Sequence, residues 1–188
     1  EPDLLASLGE PAILGVISDL VGPALQHHLC SLLVNPEGMS YQCHWHRDTA
    51  FADETEEDDL LAMLLSHVQL NGALNRDHCL LIVPGSHRRR RSADERDALA
   101  SDPNGDMPGQ MVVELDAGDI VFYNSNLLHR GICTADSHRQ TLHYAVHPYH
   151  PEAPTGGPEA QPWLTEPDFL DTLPATLRDL FANWIRCG

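Results

Sequence analysis

The segment CHWHRD, Cys43 to Asp48, sets two imidazoles, a carboxylate, a guanidinium and an indole side by side. In an extended strand, residues two apart share a face, so His46 and Asp48 aim at a common point. The same alternation puts Gln42, His44, His46 and Asp48 on one side and Tyr41, Cys43, Trp45 and Arg47 on the other. A wholly polar face turned inward is costly unless its groups coordinate or hydrogen-bond something. An H-x-D tripeptide is common by chance, so a third ligand is needed from elsewhere. His129 is the best candidate, because it follows the strand-like run GDIVFYN at a strand edge. Two histidines and one carboxylate on one face of an octahedral ion leave three adjacent positions open, the donor set of non-haem Fe(II) oxygenases. Two of these can take a bidentate 2-oxo acid and the third O2. Arg139 offers a planar fork for the far carboxylate of such a cosubstrate, with the Thr141 hydroxyl two positions on. The competing readings are a satisfied buried polar network for the three ligands and an ordinary ion pair for Arg139. His44 would serve as a hydrogen-bond partner behind the ligands, since a fourth protein ligand would close a site needed by the cosubstrate.

Strands must position these groups. The runs SHVQLNGAL, CLLIV, QMVVEL, GDIVFYN and RQTLHYAVHPY recur at regular spacing, which predicts a mainly β barrel or sandwich. Ala24 to Val34 and Met39 to Asp48 flank the turn signal NPEG and read as a β-hairpin. PGSH, Pro84 to His87, reads as a tight turn, which suits Ser86 and His87 better than nucleophilic catalysis does. Ser92 and Glu95 form a capping-box pattern that should start a short helix. One or two short helices are expected around PAILGVISDL. Near the C-terminus, Leu177, Leu180, Phe181, Trp184 and Ile185 form a helical apolar stripe that should cover the core. The acidic run Asp53 to Asp59 reads as a solvated helix start, lacking the spacing and glycine of a calcium loop. Pro151 to Pro162 reads as a linker.

Composition narrows the setting. At 188 residues one domain is expected, with a barrel over about 24–149 and a C-terminal linker and helix over 150–188. Five dispersed cysteines without a C-x-x-C argue against a disulfide framework or zinc knuckle, and no apolar run approaches a membrane span. The expectation is a soluble, cytoplasmic protein. A formal charge of -17 would repel a phosphate backbone, so nucleic acid is not an expected partner. The basic run Arg88 to Arg91 reads as a solvated turn or as a patch for an anionic small-molecule substrate. The chain starts at Glu1 rather than methionine, so an N-terminal truncation is expected. Oligomeric state is not legible.

Taken in order, WHRD, CLLIVPGSH, AGDIVFYNSNLLHRG and RQTLHY make the chain resemble the phytanoyl-CoA dioxygenase (PhyH) family of Fe(II)/2-oxoglutarate oxygenases, over roughly Val34 to Tyr149. The resemblance implies a double-stranded β-helix (jelly roll) with flanking N- and C-terminal helices. It implies metal ligands at His46, Asp48 and His129, a 2-oxoglutarate-binding arginine at Arg139, and cosubstrate or substrate contacts at Gln42 and Asn71. The implied reaction takes Fe(II), 2-oxoglutarate and O2 and oxidises a C–H bond of a small organic substrate, releasing succinate and CO2. Related halogenases carry a small residue in place of the carboxylate, so Asp48 favours hydroxylation or a similar oxidation. The chain departs from the family pattern at Asp77-His78, where relatives often read Asn-Gly, and in the tryptophan missing from HVQLNGAL. The alternatives are a cupin-type metal enzyme using His44, which the His129 spacing disfavours, and a PhyH-like binding protein without turnover.

Overall fold

Strand β7, His129–Cys133, lies between two partners in a sheet of order β2-β7-β4-β5, built also from β2 (Tyr41–Gln42), β4 (Asp77–Ile82) and β5 (Met111–Leu115). A second four-stranded sheet has the order β1-β8-β3-β6, from β1 (Leu25–Val34), β3 (Val68–Ala73), β6 (Ile120–Asn124) and β8 (Gln140–Pro148). Among the described residues the α-helices are α1 (Pro2–Leu8), α2 (Pro11–Val21), α3 (Ala93–Ser101), α4 (Phe169–Thr172) and α5 (Ala175–Cys187). The protein is described from a computed structural model over residues 2–48, 67–151 and 166–187. The acidic run Asp53 to Asp59 and most of the expected linker lie outside the described residues. No described helix is long and apolar enough to cross a membrane.

The described residues form two compact units. One draws on 2–31, 67–69, 144–151 and 166–187; the other on 32–48 and 70–143. In the first, Leu8, Ile17, Leu177, Leu180, Phe181 and Trp184 are all buried. The apolar stripe of α5 is therefore core, as its helical spacing predicts. In the second, Trp45, Leu81, Val83, Met107 and Leu128 form one apolar cluster and Leu80, Tyr123 and Leu127 another. Both flank β4 and β7, which pair antiparallel with Leu81 opposite Arg130 and Ile82 opposite His129.

The expected hairpin of Ala24 to Val34 with Met39 to Asp48 does not form. β1 neighbours β8 in one sheet, whereas β2 pairs with β7 in the other, Tyr41 opposite Cys133 and Gln42 opposite Ile132. Asn35 explains the crossing. Its side-chain amide donates to the carbonyls of Met39 (2.9 Å), Thr134 (3.3 Å) and Ser137 (3.1 Å), and its backbone N–H donates to Arg139 O (3.1 Å). These bonds pin NPEG to the β7–β8 connection, so the chain passes from one sheet to the other instead of doubling back.

The PGSH turn is structural. Gly85 takes the left-handed conformation (φ 78°) that a side chain would resist. Buried Ser86 accepts the Leu128 N–H through Oγ at 2.8 Å, and Arg47 donates to the carbonyls of Ser86 and Arg89. The capping box is present at α3: Ser92 Oγ accepts from Glu95 N–H (3.1 Å) and Glu95 Oε2 from Ser92 N–H (2.7 Å). Glu95 also receives both guanidinium arms of Arg89, at 2.8 and 2.6 Å. The Arg89 bonds, foremost, hold its carboxyl below the usual glutamate range. Glu95→Ala should lower stability by about 2–3 kcal/mol, less than the full cost of stranding a buried charge. The reason is that the Arg89 side chain is 43% exposed and can turn to water. Because the folded-state pKa is depressed, this contribution is present above the unfolded value of 4.5 and lost as pH falls through the folded one. Urea melts at pH 7 and pH 3 check this: the gap between the parent chain and Glu95→Ala should narrow at pH 3.

Candidate metal centre

His46 and His129 sit directly opposite each other as an antiparallel bridge, exchanging both backbone N–H···O bonds at 3.0 Å. That pairing sets two imidazoles side by side, 4.5 Å between ring centroids. Asp48 is tied in by its N–H to Ser125 O (3.1 Å). Its carboxylate spans the two rings, 3.4 Å from His46 Nε2 and 3.3 Å from His129 Nε2. The structure thus brings together His46, Asp48 and His129, with one donor atom from each within 4.8 Å of the others.

Each ring is also held from behind. His46 Nδ1 lies 2.8 Å from His44 O, and His129 Nδ1 lies 2.8 Å from Leu127 O. A carbonyl oxygen only accepts, so Nδ1 carries the proton in the neutral ring and Nε2 is left to ligate. His44 stands behind His46 through its carbonyl; its side chain is exposed and does not join the cluster. The four-donor cupin arrangement with His44 is not assembled. In the metal-free chain, the bonds to Asp48 and then Cys43 outweigh burial and raise the His46 imidazole to about 10. A metal ion must therefore displace a proton there.

These three side chains open on a cavity of about 590 Å3, of the size that takes small organic molecules. Asn71, Tyr123, Arg139 and His143 line it with them. Burial raises the Tyr123 phenol, keeping it a neutral donor beside His129, and lowers His143 to about 4, keeping it a neutral imidazole. Leu32, Val34 and Met39 bring exposed apolar surface to the same cavity.

Arg139 is 7% exposed, but it does not stand alone. Its Nε donates to Asp77 Oδ2 (2.9 Å), and Thr141 Oγ1 donates to the same oxygen (2.6 Å). Burial opposes charge on Asp77, yet the Arg139 charge, the Thr141 hydroxyl and the Cys79 N–H hold it ionised, below the usual range. Thr141 therefore sits behind the guanidinium rather than beside a ligand, and it does not line the cavity. Asp77 is a site residue that sequence reasoning missed. Its signal was the departure at Asp77-His78, a carboxylate where the family pattern has a neutral residue.

The face assignment of the CHWHRD segment needs correction. Tyr41 and Cys43 line the cavity with His46 and Asp48, whereas Gln42 is exposed and outside the lining. β2 ends at Gln42, and the irregular stretch before His46 shifts the alternation by one residue. Trp45 is buried, donating Nε1–H to Gly105 O (2.9 Å) under the Arg130 guanidinium. None of Arg88 to Arg91 lines the cavity.

Two observations fit the space to a guest with hydrogen-bonding groups that reaches the guanidinium. Asn71 Oδ1 and both ring nitrogens of His143 are buried with no hydrogen-bond partner among the described residues. At Gly131, a Cβ would lie 3.4 Å from the Tyr41 ring and 3.9 Å from Arg139 Nη1, so glycine keeps open the floor next to the guanidinium. The donor set, nitrogen and carboxylate oxygen at one vertex of a cavity, suits a divalent iron-class ion.

Several solved structures share this fold. The non-haem α-ketoglutarate-dependent carbocyclase SnoK from nogalamycin biosynthesis superposes with a TM-score of 0.59 at 23% identity, covering 79% of this chain and 60% of SnoK. The epimerase SnoN, in complex with Fe3+, α-ketoglutarate and nogalamycin RO, gives 0.54 at 21% identity, covering 76% and 57%. AviO1 from Streptomyces viridochromogenes Tue57 gives 0.55 at 20% identity, covering 78% and 61%. The chain spans about three fifths of the length of each of these three proteins. No curated protein matches it in sequence. The two four-stranded sheets with flanking helices are the double-stranded β-helix that the family resemblance implies. The family model for phytanoyl-CoA dioxygenase (PhyH) matches residues 5–140, and the chain belongs to that family.

Proposed function

We propose that the chain carries the catalytic core of an Fe(II)- and 2-oxoglutarate-dependent dioxygenase that oxidises a C–H bond of a small organic substrate. The single observation behind this reading is that His46, Asp48 and His129 converge on a cavity that also holds a buried arginine, Arg139. A ferrous ion bound there would couple O2 reduction and the oxidative decarboxylation of 2-oxoglutarate, to succinate and CO2, to insertion of the other oxygen atom into the substrate.

The protein's own part is placement. His46 and His129 present Nε2 because their Nδ1 protons are committed to main-chain carbonyls. Asp48 supplies one negative charge, leaving the ion a net positive charge with which to attract a dianion. Arg139 meets the far carboxylate with the guanidinium edge that Asp77 does not occupy, and Thr141 steadies the pair from behind. Asn71 and His143 provide neutral hydrogen-bonding groups to the bound acid or to the substrate. The apolar side chains Leu32, Val34 and Met39 suit a substrate with a hydrophobic body. Gln42 lies outside the cavity lining and takes no part in this reading.

The direct experiment is anaerobic loading of the chain with Fe(II) and 2-oxoglutarate, admission of O2, and measurement of succinate. Slow, substrate-independent succinate formation is expected, and it should vanish in His46→Ala. Iron binding with no succinate, with or without a panel of hydrophobic small molecules, would instead leave a binding protein.

A further inference from the structure

A second group of histidines lies outside the cavity and shares no residue with the first centre. His28 on β1, His147 on β8 and His67, immediately before β3, come from three strands adjacent in one sheet, with β8 in the middle. Their ring centroids are 4.8 Å apart for His28 and His67, 4.5 Å for His28 and His147, and 4.4 Å for His67 and His147. One nitrogen from each lies within 4.8 Å of the others. His28 is exposed, His147 half-buried and His67 buried. The strand alternation that turns His28 toward this group sends His27 the other way, stacked on Phe181 at 4.4 Å and edge-on to Trp184 at 5.6 Å. His27 is therefore packing, and His28 faces the other side of the strand.

Three imidazoles in mutual contact are a poor packing choice, because any proton taken up by one is repelled by the next. The Gln69 side-chain amide stands 3.4 Å from His67 Nε2, a polar group placed to orient that ring.

We infer that His28, His67 and His147 form a second metal site, selective for a borderline ion of the zinc class, with water in the fourth position on the exposed side. Three neutral nitrogen donors with no carboxylate leave the ion its full charge, and imidazole favours zinc, copper and nickel over the oxygen-loving end of the series. Three histidines plus one open position is also the donor set of water-binding zinc sites. Zinc–nitrogen bonds of about 2.0–2.1 Å would draw the donor nitrogens to about 3.3 Å from one another, a closure within reach of side-chain rotation at the exposed and half-buried members. The inference is independent of the oxygenase reading, since none of its three residues belongs to that centre.

The test uses the full chain, stripped of metal, with the first centre disabled by His46→Ala and His129→Ala. After equilibration with Zn2+ and dialysis, this variant is expected to retain one zinc per chain. Adding His28→Gln, a change at an exposed position, should lower zinc affinity by ten-fold or more, with circular dichroism unchanged. Zinc should also perturb the imidazole 15N resonances of His28, His67 and His147 in the unsubstituted chain, a readout that needs no variant. No retained zinc in the folded double variant, undiminished zinc after His28→Gln, or 15N signals of these three rings unmoved by zinc would each overturn the inference.

Discussion

His129→Ala is expected to lose ferrous iron and, with it, 2-oxoglutarate turnover. His129 is 5% exposed, and its ring is fixed from two sides, by the main-chain bridge to His46 and by the bond from Nδ1 to Leu127 O. Removing a group that merely stands behind a metal ligand typically costs ~10–100-fold in affinity or activity. Deleting the ligand itself should exceed that, so the expected loss in iron affinity is more than ~100-fold, with succinate formation at background. The effect should not come from unfolding. The backbone bridge survives an alanine, and circular dichroism should be close to that of the parent. Iron content after desalting, measured with succinate on one preparation, checks both halves. Retention of iron and turnover by a folded His129→Ala chain would remove His129 from the ligand set.

Arg139→Gln is expected to act twice. Losing a charge-assisted fork to a carboxylate costs about 1.5–3 kcal/mol, a rise of roughly 10–150-fold in the 2-oxoglutarate KM. The same change strands Asp77, 2% exposed and ionised by its pairing with Arg139 and Thr141. Breaking a buried pair from one side costs about 3–5 kcal/mol of stability. The two consequences can be separated. Asp77→Asn added to Arg139→Gln removes the orphaned charge and should restore much of the stability, while KM stays high. Urea melts and succinate kinetics on the single and double variants distinguish the cases. A 2-oxoglutarate KM unchanged in Arg139→Gln would assign the guanidinium to structure alone.

Much of this centre was legible before any coordinates, and the reasons are local. Strand alternation brings His46 and Asp48 to one point wherever the segment between them is extended, and the run GDIVFYNSNLLHRG carries its histidine to a strand start. Capping chemistry at Ser92 and the helical stripe at Leu177 to Trp184 are short-range too, and both are present. What was missed is set by long-range partners. The hairpin expected around NPEG fails because Asn35 finds its acceptors at Met39, Thr134 and Ser137, and no local pattern reports the latter two. Tyr41 and Cys43 replace Gln42 in the cavity because the strand breaks between Gln42 and His46, and period-two counting assumes that it does not. Asp77 gains meaning only opposite Arg139, 62 residues along the chain. The His28, His67 and His147 group has no motif at all, since two strands and the residue before a third supply one histidine each.

His46 and His129, whose amides are already bonded to each other's carbonyls, do not depend on an ion for their separation. Departure of iron would leave the scaffold of the site standing, and the same span would await the next ion. Loading and unloading would then be an exchange at a preformed socket, proceeding without any refolding of the barrel.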